Sequence, residues 1–405
     1  MPHFRKRLAL KPLNNLLAQS AIVGVFGHRQ VGKTTFVEKL CQKYFSLDDE
    51  ETYLRVESSA KNFLNEIYGP LVALDECQKA PTLFPALKEL VRIKPKLGRF
   101  LLSGSVRFTS RKAIQESLTG RIMQMELLPL LFSELHEVPP VENIQRFLML
   151  NHFQPNLDTS KYAKAEFESR SKMISSYMNL GGLPGVCFTR NDKARNQKIM
   201  SQLETILDRD VRMVYSTSLS YPTIKKVLSA LAERASEPFK YSEITQATGV
   251  SARNLQHLFY AFESVFILRP LALEGDSTGE LYYFEDPSEW RSLRTQTVSE
   301  ESELGYFCLL QARAQFHYSL GENYSLFQFR TRAGTLVPVA IRNQHKILGF
   351  IPTSENIPNR KERAAARSFL SRYATAKVLF VSSQNVGLQC LDERSLICSK
   401  VHLTD

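Results

Sequence analysis

Gly27-His28-Arg29-Gln30-Val31-Gly32-Lys33-Thr34 has the spacing G-x-x-x-x-G-K-[ST], with Thr35 directly after it. Glycines at both ends let the backbone wrap closely around a phosphate chain, and the N–H groups of Gly27 to Thr35 then face its oxygens. Lys33 is placed to reach the β and γ phosphates, and the Thr34 hydroxyl to ligate Mg2+. Farther along, Leu71-Val72-Ala73-Leu74-Asp75-Glu76 is an apolar run that ends in two carboxylates. Asp75 suits the metal's coordination sphere, and Glu76 suits orienting and deprotonating an attacking water. Together these residues specify binding of Mg-ATP and hydrolysis of its terminal phosphate. Phosphoryl transfer asks for positioning and charge compensation more than for covalent chemistry, so this small set nearly suffices.

Two further residues fit that chemistry. Phe100-Leu101-Leu102-Ser103-Gly104-Ser105 ends in small hydroxyls, and Ser103 is the candidate to bond the γ phosphate or the lytic water, unless Ser-Gly-Ser is only a tight turn. Arg121, after Gly120, is the candidate arginine finger toward a neighbouring subunit, with an ordinary surface or intrachain pair as the alternative.

The elements that must hold these residues alternate in the manner of a parallel sheet with crossover helices. Strands are expected near Ala21–Phe26, Tyr53–Val56, Leu71–Leu74, Phe100–Leu102 and Ile122–Glu126. The intervening helices are expected near Lys33–Tyr44, Lys61–Ile67, Leu83–Val91 and Lys112–Leu118. Beyond Pro129 the pattern turns mostly helical as far as Tyr215, broken at Gly181-Gly182-Leu183-Pro184-Gly185, and reads as a lid. Between Pro222 and Pro270, a helix opened by Tyr241-Ser242-Glu243-Ile244, a turn at Gly249 and a helix capped by Ser251 spell helix-turn-helix. Leu281–Phe284 is the expected wing strand. The expected units are therefore 1–130, an ATPase core; 131–218, a helical lid; 219–290, a winged helix-turn-helix; and 291–405, an α+β domain. The fold class is α/β.

The 405 residues, 43% of them apolar, support several cores, and a formal charge of +11 is compatible with a polyanionic partner without marking where it binds. The six scattered cysteines lack metal-ligand spacing and suit a reducing compartment. No run approaches the ~18 apolar residues of a membrane span, and the short run Ala21–Phe26 is no signal-peptide core, so a cytoplasmic protein without a membrane partner is expected.

Taken with its flanks, the sequence resembles prokaryotic AAA+ ATPases of the archaeal type, which carry a winged helix and a C-terminal restriction-endonuclease-like domain. The likeness rests on GHRQVGKTT (27–35), LDECQKAPTL (74–83), LLSGS (101–105), ESLTGRIMQMELLPL (116–130), GGLPG (181–185), LETILDRDV (203–211) and YYFEDPSE (282–289). It implies ATP and Mg2+ as cofactors, a supporting role for Pro184 near the nucleotide, and a degenerate nuclease fold at the C-terminus. Nucleases of that type need an Asp on one strand and Glu-x-Lys on the next, whereas here Pro338, Gly349 and Ile351 stand in those places, so no DNA cleavage is expected.

The partner is left open between double-stranded DNA and a protein. Arg253, Asn254, Gln256 and His257 would offer a DNA-facing helix surface, with Arg342, His345, Lys346, Arg360, Lys361 and Arg363 as an added basic surface. A homo-oligomer follows if Arg121 acts between subunits. The leading expectation is an ATP-hydrolysing switch. A non-hydrolysing, nucleotide-dependent DNA-binding or scaffold protein is the alternative.

Overall fold

The computed structural model describes residues 4–107, 120–139, 142–154, 163–234, 237–320 and 323–404. The expected helix Lys112–Leu118 lies outside them. In the first unit five strands, β1 (Ile22–Phe26), β2 (Lys43–Ser46), β3 (Val72–Asp75), β4 (Phe100–Gly104) and β5 (Ile122–Glu126), form one sheet in the order β2-β3-β4-β1-β5. Every pair is parallel. The apolar strands β1, β3 and β4 are buried throughout, as a sheet covered on both faces requires.

The second strand corrects the sequence expectation. Tyr53–Val56 lies within the helix Glu50–Ile67, which Asp49 caps by accepting from the Thr52 amide at 2.9 Å. Val56, Ala60, Phe63, Leu64 and Ile67 make its buried face at helical spacing, a period that outweighs the short β-like run at its start. The helix after the phosphate loop is correspondingly short, Lys33–Glu38, and leaves Lys43–Ser46 free to become the edge strand.

The next unit is helical. Its longest members are Lys164–Leu180 and Asp192–Thr205, and the latter continues through a π-helical turn, Ile206–Asp210, into Val211–Val214. Three helices follow: Tyr221–Glu233, Tyr241–Thr248 and Ala252–Ser264. Gly249 ends the second of these in the left-handed region at φ 79°, where a Cβ is disfavoured, and the Ser251 hydroxyl caps the third. Two strands, β6 (Leu268–Pro270) and β8 (Tyr282–Phe284), then pair antiparallel. The strand between them, β7 (Ala272–Gly275), leaves this unit and pairs in parallel with β9 (Ser325–Arg330). The boundary expected at residue 290 is thus crossed by β7, an edge strand of the C-terminal sheet.

That sheet has seven strands in the order β13-β14-β12-β11-β10-β9-β7, with β10 at Leu336–Asn343, β11 at Lys346–Thr353, β12 at Ala376–Ser382, β13 at Gln389–Asp392 and β14 at Ser395–Ser399. Helix Glu300–Leu320 packs against β10 and β11, and helix Arg360–Arg372 buries Ala365, Ala366 and Phe369 against the sheet. Pro338 sits where the β9–β10 register shifts, a position that dispenses with its missing amide hydrogen, and a Cβ on Gly349 would meet the Phe369 ring at 2.8 Å. Both residues are accounted for by packing. No helix among the described residues is long and apolar enough to cross a membrane.

Candidate nucleotide site

Parallel strands deliver their carboxyl ends to one edge. Phe26 of β1 lies opposite Gly104 of β4, and Leu74 of β3 opposite Leu102, so Gly27, Asp75-Glu76 and Ser103-Gly104-Ser105 emerge together. Gly27 passes so close to the neighbouring chain that a Cβ there would lie 2.3 Å from the Leu127 carbonyl oxygen. Gly32, at φ 94°, closes the loop in a conformation that favours glycine, and Gln30 also takes a positive φ of 60°. The Lys33 ammonium is buried and donates to the carbonyls of Gly27 and His28 at 3.0 and 2.9 Å. Burial lowers its pKa, against the opposing pull of Glu76 and Asp75. Thr35 is exposed beside it on the same helix.

The two carboxylates occupy different surroundings. Asp75 Oδ2 accepts from Thr34 Oγ1 at 2.7 Å and from the Tyr44 hydroxyl at 2.9 Å, and Oδ1 accepts from Ser103 Oγ at 2.6 Å. Glu76 stands in the left-handed region at φ 52°, its carboxylate held by the Gln78 amide. Burial raises the Glu76 pKa, with Lys33 opposing and the Asp75 charge adding to the rise. A non-glycine residue at positive φ beside a buried base is local strain of the sort concentrated at functional sites. The Thr34 hydroxyl and the Asp75 carboxylate are adjacent hard oxygen donors, and that donor set fits Mg2+.

Ser103 needs correcting. Its hydroxyl is fully buried between β3 and β4 and donates to Asp75, so it positions that carboxylate instead of facing a phosphate. Ser105, two residues on, is buried with an Oγ that has no hydrogen-bond partner among the described residues. Arg121 is exposed before β5, and the Ile22–Ile122 register sets it at the amino edge of the sheet. Five strand residues, about 17 Å at 3.3 Å each, separate that edge from the loop of the same subunit.

The loop is also held from outside, by residues that the motif does not contain. His28 is buried, and both ring nitrogens meet oxygens: Nδ1 the Arg29 carbonyl at 2.7 Å and Nε2 the Glu289 carboxylate at 3.1 Å. Oxygens at both ring nitrogens favour the protonated form of the ring over the neutral one. Burial works against that charge, yet Glu289 outweighs it and the His28 pKa is raised. Arg29 pairs with Asp210 in the π-helical turn Ile206–Asp210 at 3.1 Å. Arg7, from the amino terminus, donates to the carbonyls of Val31 and Leu128 and pairs with Glu134 at 3.1 Å.

Gly181–Gly185 packs on the same loop. Pro184 lies within 3.6 Å of where a Cβ on Gly32 would stand, and Gly185 admits the Gln30 side chain. Asp286 holds this turn by accepting from the Gly182 amide at 2.7 Å. Burial first, and then the charge of Glu289, raises the Asp286 pKa to about 6. The segment Glu285-Asp286-Pro287-Ser288-Glu289 therefore holds the phosphate loop through His28 and the Gly181–Gly185 turn packed on it through Gly182.

Residues 19–136 match a family described as an AAA domain. That match, with the parallel sheet carrying loop and carboxylates on one edge, supports an ATP-hydrolysing P-loop ATPase of the AAA type. Residues 171–273 match a second family, a domain of unknown function, so the AAA description stops short of the long helices Lys164–Leu180 and Asp192–Thr205. An uncharacterized protein of Methanocaldococcus jannaschii is 24% identical over 212 residues, covering 48% of this chain and 43% of its own length. Similar solved structures include a Walker-type ATPase of Pyrococcus abyssi, at 16% identity and TM-score 0.41, covering 72% of this chain and 95% of that one. Another is DnaA of Aquifex aeolicus bound to AMPPCP, at 16% identity and TM-score 0.25, covering 63% and 86% of the two chains.

Proposed function

We propose that the chain hydrolyses Mg-ATP at the edge formed by Gly27–Thr35, Asp75 and Glu76, and uses the nucleotide state as a switch for a macromolecular partner. The observation that carries this reading is the contact of Thr34 Oγ1 with Asp75 Oδ2, which joins the phosphate loop to the acidic strand. Bound magnesium would compensate charge on the phosphate oxygens. Thr34 and Asp75 would hold it, with Ser103 and Tyr44 fixing the carboxylate from behind. Lys33 sets a cation against the β and γ phosphates, and backbone amides of Gly27 to Thr35 surround them.

Glu76 orients the attacking water and accepts its proton at the carboxylate. Burial raises its pKa, which makes it a better base than an exposed glutamate. The free hydroxyl at the end of β4 is Ser105, which we assign to the γ phosphate or the water in place of Ser103. Arg121 serves the site only from a neighbouring subunit, given its place at the far edge. The three helices and the β6–β8 pair are read as a winged helix-turn-helix, and the C-terminal sheet as a nuclease-like domain without the nuclease carboxylates. ATP turnover by the full chain in magnesium, with Lys33→Ala as the binding-defective control, tests the proposal; turnover equal in both would defeat it. A non-hydrolysing ATP-dependent scaffold is the second reading, and tight binding with no turnover would favour it.

A further inference from the structure

Charge is unevenly shared between the last two units. Residues 219–290 hold six Lys and Arg against ten Asp and Glu, whereas residues 291–405 hold fifteen against nine. The helix expected to read DNA, Ala252–Ser264, therefore belongs to an acidic unit. Part of its polar face is also engaged already. The Tyr215 ring stacks on His257 with centroids 5.0 Å apart, and its hydroxyl donates to Asn254 at 3.1 Å.

The cations of the C-terminal unit divide into two groups. On the sheet, Arg342 pairs with Glu274 at 2.7 Å, and the Lys346 ammonium donates to the Met149 carbonyl at 2.7 Å. Those on helix Arg360–Arg372 are presented outward, with Arg363 Nε donating to the Pro358 carbonyl at 2.8 Å and its terminal nitrogens left outermost. Arg360, Arg363 and Arg367 recur at helical spacing and are exposed, on the side opposite the buried Ala365, Ala366 and Phe369. Among the described residues none of these three has a carboxylate partner. Glu362, the helix's acidic residue, is spent on its amino terminus, where it bonds the Asn359 amide at 2.8 Å. Lys361 and Arg372 flank the stripe, and Lys361 also lines a cleft of about 740 Å³ between this helix and Arg294.

We infer that Arg360, Arg363 and Arg367 form a docking stripe for the phosphate backbone of double-stranded DNA. The stripe spans about 10 Å along a helix rising 1.5 Å per residue, enough to contact successive phosphates of one strand. Guanidinium groups suit phosphate because they donate two parallel hydrogen bonds, and backbone contact of this kind carries no sequence preference. The inference names the partner of the proposed switch and rests on that reading only for the coupling to ATP. Binding itself needs no nucleotide.

The test is fluorescence anisotropy of a labelled mixed-sequence DNA duplex with the full chain, without nucleotide, over a series of salt concentrations. Each phosphate contact contributes about 0.9 to the slope of log affinity against log salt. Arg360→Gln/Arg363→Gln/Arg367→Gln is expected to lower that slope by roughly 2 to 3 and weaken binding at low salt by at least about tenfold. Glutamine is a good helix former and these sites are exposed, so the variant should keep wild-type ATP turnover, which shows that it is folded. Arg253→Gln/Gln256→Ala, on the other helix, should change the slope by less than about 1. An unchanged slope in the triple variant overturns the inference. So does a loss that follows Arg253 and Gln256, or wild-type protein that ignores the duplex and binds phosphatidylserine vesicles. Loss of ATP turnover in wild type with intact DNA binding would instead indict the nucleotide site.

Discussion

Thr34 Oγ1 lies 2.7 Å from Asp75 Oδ2, so the helix that follows the phosphate loop and the end of β3 meet at one point. Magnesium should therefore strengthen ATP binding through both residues. Asp75→Asn is expected to abolish most of that enhancement, by about 10- to 100-fold, while leaving the metal-free affinity nearly unchanged. Calorimetric titration of ATP with and without magnesium checks it. An enhancement equal to wild type would remove Asp75 from the metal's surroundings.

Ser103 of β4 and Ser105 just beyond it should behave differently. Ser103→Ala deprives Asp75 of a buried donor and is expected to cost about 1–3 kcal/mol of stability as well as activity. Ser105→Ala removes a hydroxyl with no hydrogen-bond partner among the described residues, so its melting temperature should stay near wild type while kcat falls by about tenfold or more. Unfolding and turnover measured on both variants separate a positioning role from a catalytic one.

That distinction also marks the limit of what the sequence could reveal. The loop, Asp75 and Glu76 were legible because their spacing and flanking apolar strand are written in consecutive residues. The choice between Ser103 and Ser105 depends on which hydroxyl meets Asp75, a relation between two strands. Tyr44 was hidden inside an expected helix, since an edge strand of four half-buried residues has almost no periodic signal. Arg7, Asp210 and Glu289 touch the loop from places at least twenty residues away, Asp286 holds the turn packed on it, and only the fold discloses them. Arg7 lay in a basic amino-terminal run, and Asp210 and Glu289 in segments whose resemblance was noted without a role.

Stability should respond to pH through the grip on the loop. Asp286 has a folded pKa of about 6 against an ordinary 3.8, so its contribution is fully present below 3.8 and is lost as pH rises through about 6. His28 is raised above 6.5, so its contribution is fully present below 6.5 and is lost only as pH climbs past its raised value. Melting temperature should thus decline in two stages with rising pH. Asp286→Asn should flatten the first stage and His28→Gln the second. A melting temperature that rises steadily from pH 4 to 8 in both wild type and variants would contradict the assignment of these groups.

The units are also tied by a buried ion cluster. Arg313 of helix Glu300–Leu320 bonds Glu285 at 2.6 Å and Glu126 of β5 at 3.1 Å, and Arg269 bonds Glu285 at 2.7 Å. Burial would raise the Glu285 carboxyl, but Arg269 and Arg313 hold it at about 2. Removing Arg313 leaves Glu285 compensated by Arg269 alone, so Arg313→Met is expected to destabilise the chain by about 1–3 kcal/mol, whereas Arg313→Met/Glu285→Leu should recover part of that loss. Denaturant unfolding of the two variants decides it; equal losses would mean the pair is not coupled.

The account turns on whether Glu76 activates water for an ATP held by the neighbouring loop. Measured on the full chain with magnesium, Glu76→Gln should bind ATP about as tightly as wild type and hydrolyse it at least about 100-fold more slowly. Undiminished turnover by Glu76→Gln, or no ATP binding by wild type at millimolar nucleotide, would contradict it.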